Sequence, residues 1–138
     1  MIEINNLTKK QLDLAFFKKA TRKILRGEGI SLKGVEISIA FVNEKRMVEL
    51  NRKYRKRNRP TDVLAFSDKE WREIIICPDQ VRENTKKLGL VFGKELVNVL
   101  IHGVLHILGY NHEKSEKAAI EMEKIQNYYL GIFFKKGF

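Results

Sequence analysis

Cysteine and proline are nearly absent from this sequence. One Cys (Cys77) and two Pro (Pro60 and Pro78) occur in 138 residues. A single thiol excludes a disulfide framework and suits a reducing compartment. Standing in an apolar run, Cys77 reads as a small buried hydrophobe. No stretch approaches the about eighteen apolar residues that a membrane span needs. The first residues, from Met1 to Leu7, show no basic region followed by an apolar core, so no secretory signal is expected and the expected location is the cytoplasm. Acidic residues are also scarce: 17 Asp and Glu against 27 Lys and Arg give a net charge of +10, which points to a polyanionic partner such as nucleic acid. Repeats and low-complexity tracts are lacking. A hydrophobic content of 43% suffices for one domain, residues 1–138, with its own core.

The hydrophobic patterning predicts an α+β fold: a single small mixed four-stranded sheet packed with about five helices. Residues 2–5 read as a strand. Thr8 and Gln11 form a capping box, with Leu7 stapled onto Leu12, for a helix that runs to about Arg26. Val35, Ile37, Ile39 and Phe41 alternate with smaller or polar residues as a strand. Asn43 caps a helix whose inner face carries Met47, Leu50 and Tyr54. Val63–Phe66 and Glu73–Cys77 read as a hairpin across a short polar connection. Pro78 opens a helix that Gly89 closes. Lys94 to Leu108 is apolar nearly all round, so that helix is buried. Ser115 starts the last helix, with Ala118, Met122, Ile125 and Tyr129 facing inward.

Histidine is scarce as well, and all three fall within eleven residues, at His102, His106 and His112. His102 and His106 lie one turn apart on one helix face. Gly109 ends the helix without penalty in the left-handed conformation, which lets the chain bring His112 back. Three imidazoles with no fourth protein ligand nearby describe a catalytic Zn2+ site, one ion with an open position for water. Zincin-type proteases place Glu directly after the first His as general base; here that position is Gly103. A metal here would still lower the pKa of water to about 7 and act as a Lewis acid.

Residues Arg52 to Arg59 hold six basic residues in eight. Such a run suits the phosphates of a nucleic acid, and it also suits a helix C-terminus, where cations favour the dipole. The candidate RNA-binding residues are Arg52, Arg55, Lys56 and Arg59. A planar guanidinium among them can grip a phosphate through two parallel hydrogen bonds.

These stretches together resemble the YbeY family of bacterial endoribonucleases. The carriers are Leu50-Asn51 with Tyr54-Arg55, the run Pro60-Thr61-Asp62-Val63-Leu64-Ala65-Phe66, Glu73-Ile74-Ile75-Ile76-Cys77, the span from His102 to His112, and Met122. The resemblance implies a single-strand-specific, zinc-dependent endoribonuclease acting in 3′-end maturation of small-subunit ribosomal RNA and in ribosome quality control. It implies that His102, His106 and His112 bind the zinc and that Arg55 is the other functional residue. It also implies, as partners, the small ribosomal subunit, one of its proteins and an Era-type GTPase. Asn111, Ala65 and Arg72 stand where the family pattern usually has Asp, Ser and Gly, so an acid at 111 and a hydroxyl at 65 are not essential to this chain.

Two other readings follow from the same residues. One is a metal-dependent hydrolase of peptide or amide bonds, which Gly103 disfavours. The other is a non-catalytic ribosome-assembly factor with a structural zinc, which the open fourth position disfavours. The residues name no general base.

Overall fold

A computed structural model describes residues 1–68 and 71–134. Along the chain run β1 (Ile2–Asn6), α1 (Leu14–Gly27), β2 (Ile37–Phe41), α2 (Glu44–Arg55), β3 (Val63–Ser67), β4 (Arg72–Ile76), α3 (Pro78–Leu88), α4 (Phe92–Ile107) and α5 (Glu116–Phe133). The four strands form one mixed sheet in the order β1-β2-β4-β3, with β1, β2 and β4 parallel and β3 antiparallel to β4. This is the α+β architecture expected from the sequence. The predicted hairpin is β3–β4, in register from Val63 opposite Ile76 to Ser67 opposite Arg72. Lys69 and Glu70, within its predicted polar connection, lie outside the described residues.

Because β4 lies between β2 and β3, its apolar half, Ile74 to Ile76, is buried on both faces of the sheet. Ile74 and Ile76 join Ile37, Ile39 and Phe41 beneath α1, α4 and α5. Ile75 points the other way and packs with Leu64 against Met47 and Leu50 of α2. Fully burying one such side chain contributes about 1.5–3 kcal/mol. Helix α4 is the centre of the larger layer, with Leu100, Ile101, Val104 and Leu105 wholly excluded from water. Cys77 is buried in the smaller cluster, as its apolar surroundings suggested. Among the described residues no single helix is long and apolar enough to cross a membrane.

Two local expectations are corrected. The Thr8 capping box does not form: α1 starts later, capped by Asp13, whose side chain accepts from the amide of Phe16. Thr8 is taken by Asn6 instead, whose Oδ1 accepts from both the Thr8 amide and hydroxyl, and Leu7 is 65% exposed rather than stapled. An Asn side chain two residues upstream competes for the same donors at short range. Tyr54 does not share the inner face of α2. It is 52% exposed and turns its ring toward Phe66.

Candidate active site

His102 and His106 stand on α4 with their rings nearly parallel, 10° between planes and 6.4 Å between centroids. The helix ends in a Schellman motif: the amide of Gly109 donates to His106 and that of Tyr110 to Leu105. Gly109 has φ +106°, which an L side chain rarely adopts. Asn111 then accepts from the amide of Glu113 through Oδ1, closing an Asx turn. The Schellman motif and Asx turn return the chain to α4. The His112 ring lies 5.0 Å from that of His102, inclined at 62°.

The ring of His102 is held by a residue that the sequence reading passed over. Nδ1 of His102 lies 3.1 Å from Oε1 of Gln126 on α5. An amide oxygen only accepts, so the Nδ1–H donates and Nε2 is the nitrogen left for another partner. Gln126 is itself oriented, since its Nε2 donates to Oδ1 of Asn98 at 2.9 Å, and Asn98 donates to Glu95. Gln126 follows the buried Met122 by four residues, so its place on the inward stripe of α5 was the available signal.

The surroundings of His106 disfavour its charged form. Burial lowers its pKa first, and the neighbouring His102, His112 and Arg55 lower it further. Its Nδ1 is buried without a hydrogen-bond partner. Among the described residues no three His, Cys, Asp or Glu side chains are already arranged to hold an ion. The fit to a metal therefore rests on donor chemistry: three neighbouring imidazoles, one with an orphaned buried nitrogen and one oriented by a hydrogen bond.

The basic run breaks away from α2. Lys56 takes the left-handed conformation, φ 55°, and the chain leaves the helix there. Asn51, only 2% exposed, ties down the loop that follows: its carbonyl accepts from the amide of Arg57, and its side-chain amide donates to the carbonyl of Arg59 at 2.8 Å. The result is a groove of about 590 Å³ whose lining includes Arg55, Arg57, Arg59, Lys87, His102 and His112. A second depression of about 350 Å³ has Tyr54 and Phe66 on its wall together with His102, His106 and His112. Arg55 lines both. Arg52 and Lys56 line neither depression, and the Arg52 guanidinium instead donates twice to Oδ1 of Asn58.

Two acidic residues enter the site without having been singled out. Oε1 of Glu113 lies 4.0 Å from the Arg55 guanidinium and 3.9 Å from Nε2 of His112. Both contacts are exposed, so each is a weak pair that positions more than it stabilises. Asp62 lines the groove, and burial pushes its carboxyl above the usual range, opposed by the charge of His102 and by hydrogen bonds from Val63 and Thr61.

Gly103, between the two α4 histidines, has a packing role. A Cβ there would lie 2.8 Å from Cγ2 of Ile74 and 3.3 Å from Cγ2 of Val63. The helix touches the sheet at this point, so no carboxylate base fits there. The protease reading loses its base for a steric reason as well as by sequence.

The family model described as endoribonuclease YbeY matches residues 3–133, a span that takes in the whole histidine cluster and groove. Among curated relatives, an endoribonuclease YbeY of Persephonella marina is 37% identical over 131 residues, covering 88% of this chain and 81% of that one. One of Bdellovibrio bacteriovorus is 36% identical over 118 residues, covering 83% and 77%. A solution structure of a Thermotoga maritima protein superposes with a TM-score of 0.72 at 36% identity, covering 95% of this chain and 87% of that one. This chain belongs to the YbeY endoribonuclease family, hydrolases that act on RNA.

Proposed function

We propose that this chain is a zinc-dependent, single-strand-specific endoribonuclease of ribosomal RNA, acting in 3′-end maturation of the small-subunit RNA and in ribosome quality control. The observation that carries the reading is the gathering of all three histidines where a basic groove meets a second, aromatic-walled depression. His102, His106 and His112 would hold the ion. Zinc, when bound, supplies a Lewis acid and water with a pKa near about 7.

The remaining work falls to the chain's own residues. Arg57 and Arg59 line the groove where a phosphate backbone would run, and backbone contacts of this kind give affinity without sequence preference. Arg55 lines both depressions and would take up charge that builds on a phosphate between them. Gln126 keeps the His102 ring in one tautomer and one orientation. The small ribosomal subunit, one of its proteins and an Era-type GTPase are the proposed partners, in the cytoplasm.

The test is to strip the protein of metal, reload half of it with zinc, and map the ends produced from single-stranded ribosomal RNA. Cleavage is expected only from the loaded half. Equal cleavage by both halves would overturn zinc dependence, and equal cleavage of a duplex would overturn strand specificity.

A further inference from the structure

Three aromatic rings line up across the sheet edge beside the histidines. Tyr54 is on the last turn of α2, Phe66 is on β3, and Trp71 directly precedes β4. The rings of Tyr54 and Phe66 are 5.0 Å apart between centroids. Those of Phe66 and Trp71 are 6.3 Å apart and nearly parallel, with 15° between planes. Phe66 is anchored by the cluster beneath α2. The outer two rings remain 52% and 45% exposed, for Tyr54 and Trp71 respectively. Core packing accounts for Phe66 and leaves the outer two unexplained.

Their placement relative to the site is the second observation. Tyr54 and Phe66 wall the same depression as His102, His106 and His112. The Lys53 ammonium lies 5.2 Å from the centroid of the Tyr54 ring, so a cation stands beside the row. Exposed rings flanked by cations are the recurring way in which proteins hold unpaired nucleic acid, because every base presents a π-face. In a duplex both faces of each base are already stacked.

We propose that Tyr54, Phe66 and Trp71 form a platform on which unpaired bases of an RNA strand stack as its backbone crosses the histidine cluster. The platform selects single strands by offering contacts that only an unstacked base can accept. It adds affinity that salt does not screen, whereas the groove of Arg57 and Arg59 adds affinity that salt does. The inference builds on the reading of the histidine cluster as the reaction centre, yet its test measures binding without cleavage, so each can fail separately.

Trp71 is the single tryptophan of the chain, so its fluorescence reports on the platform alone. The probe is a mixed-sequence single-stranded hexanucleotide carrying 2′-O-methyl groups, and its integrity after each titration is checked on a gel so that only binding is read. Titration should quench Trp71, and the same sequence as a duplex should not. With a labelled hexamer read by anisotropy, Tyr54→Leu and Trp71→Leu should each weaken binding by about 5- to 150-fold, the factor that one base–ring stack is worth. The slope of log affinity against log salt should not change. Tyr54→Phe and Trp71→Phe should restore binding, which separates stacking from a folding defect. Absence of quenching, equal quenching by the duplex, or parental affinity in both leucine variants would overturn the proposal. The row would then be a surface for a protein partner.

Discussion

Nδ1 of His102, on α4, lies 3.1 Å from Oε1 of Gln126, on α5, a contact that spans 24 residues of sequence. Under the zinc reading, Gln126 determines which nitrogen of His102 faces the ion. Gln126→Leu should weaken zinc binding by about 10- to 100-fold, measured by competition with a chelator. Gln126→Glu, which still accepts the Nδ1 proton, should keep zinc near the parental affinity. Parental affinity in the leucine variant would mean that the hydrogen bond does not support the site.

Arg55→Ala should separate chemistry from metal. Cleavage is expected to fall on the order of 100-fold or more if the guanidinium carries transition-state charge, with zinc content unchanged by elemental analysis. His106→Ala should lose both. A normal rate in Arg55→Ala would reduce that arginine to one more exposed cation beside Glu113.

The path of the basic loop makes a comparison of two pairs informative. Arg57 and Arg59 line the groove, while Arg52 and Lys56 do not. Replacing Arg57 and Arg59 together by Gln should flatten the salt dependence of single-strand binding by about 1.4 units, at about 0.7 per lost phosphate contact. The pair Arg52→Gln and Lys56→Gln should change it less. Equal slopes for the two pairs would mean that net charge, not the groove, holds the RNA.

Gly103→Ala probes the contact of helix with sheet. The added methyl meets Ile74 and Val63 at 2.8 Å and 3.3 Å, and both belong to packed strands. Overpacking of this kind costs about 1–3 kcal/mol, so thermal unfolding should shift down by several degrees. An unchanged midpoint would show that β4 and β3 yield to the helix.

Alkaline stability should depend on Glu28. Its two carboxylate oxygens accept from Tyr110 and Tyr129, each at 2.6 Å. The hydrogen bond to Glu28 raises the Tyr110 pKa from 10.0 to about 12, and burial, with Glu28 second, raises that of Tyr129 further. The folded state therefore holds these protons more tightly than the unfolded chain does. That stability is fully present below pH about 10 and is lost as pH rises through the folded values. Urea unfolding of the parent should weaken from pH about 10 to 12, and Glu28→Gln should flatten that decline. The same pH slope in both proteins would remove Glu28 as its cause.

Much of the site was legible because its determinants are local. The four-residue spacing of His102 and His106 puts them on one helical face, and Gly109 supplies the left-handed residue that turns the chain toward His112. The apolar circumference of α4 required burial, and the hairpin followed from two apolar runs a short connection apart. Short-range hydrogen bonding decided one exception: Asn6 accepts from the Thr8 amide, and the Thr8 hydroxyl accepts from the amide of Lys10 rather than from that of Gln11.

Tertiary structure decided what depends on distant partners. Gln126, Asp62 and Glu113 are ordinary polar residues in the sequence and reach the site only through the packing of α5, the β3 edge and the turn after α4. The strand order β1-β2-β4-β3 puts β3 at the edge beside α4, and this brings the loop of Arg57 and Arg59 to the histidines. Periodicity fixes which face a residue occupies; the close packing of apolar faces decides which of those faces meet.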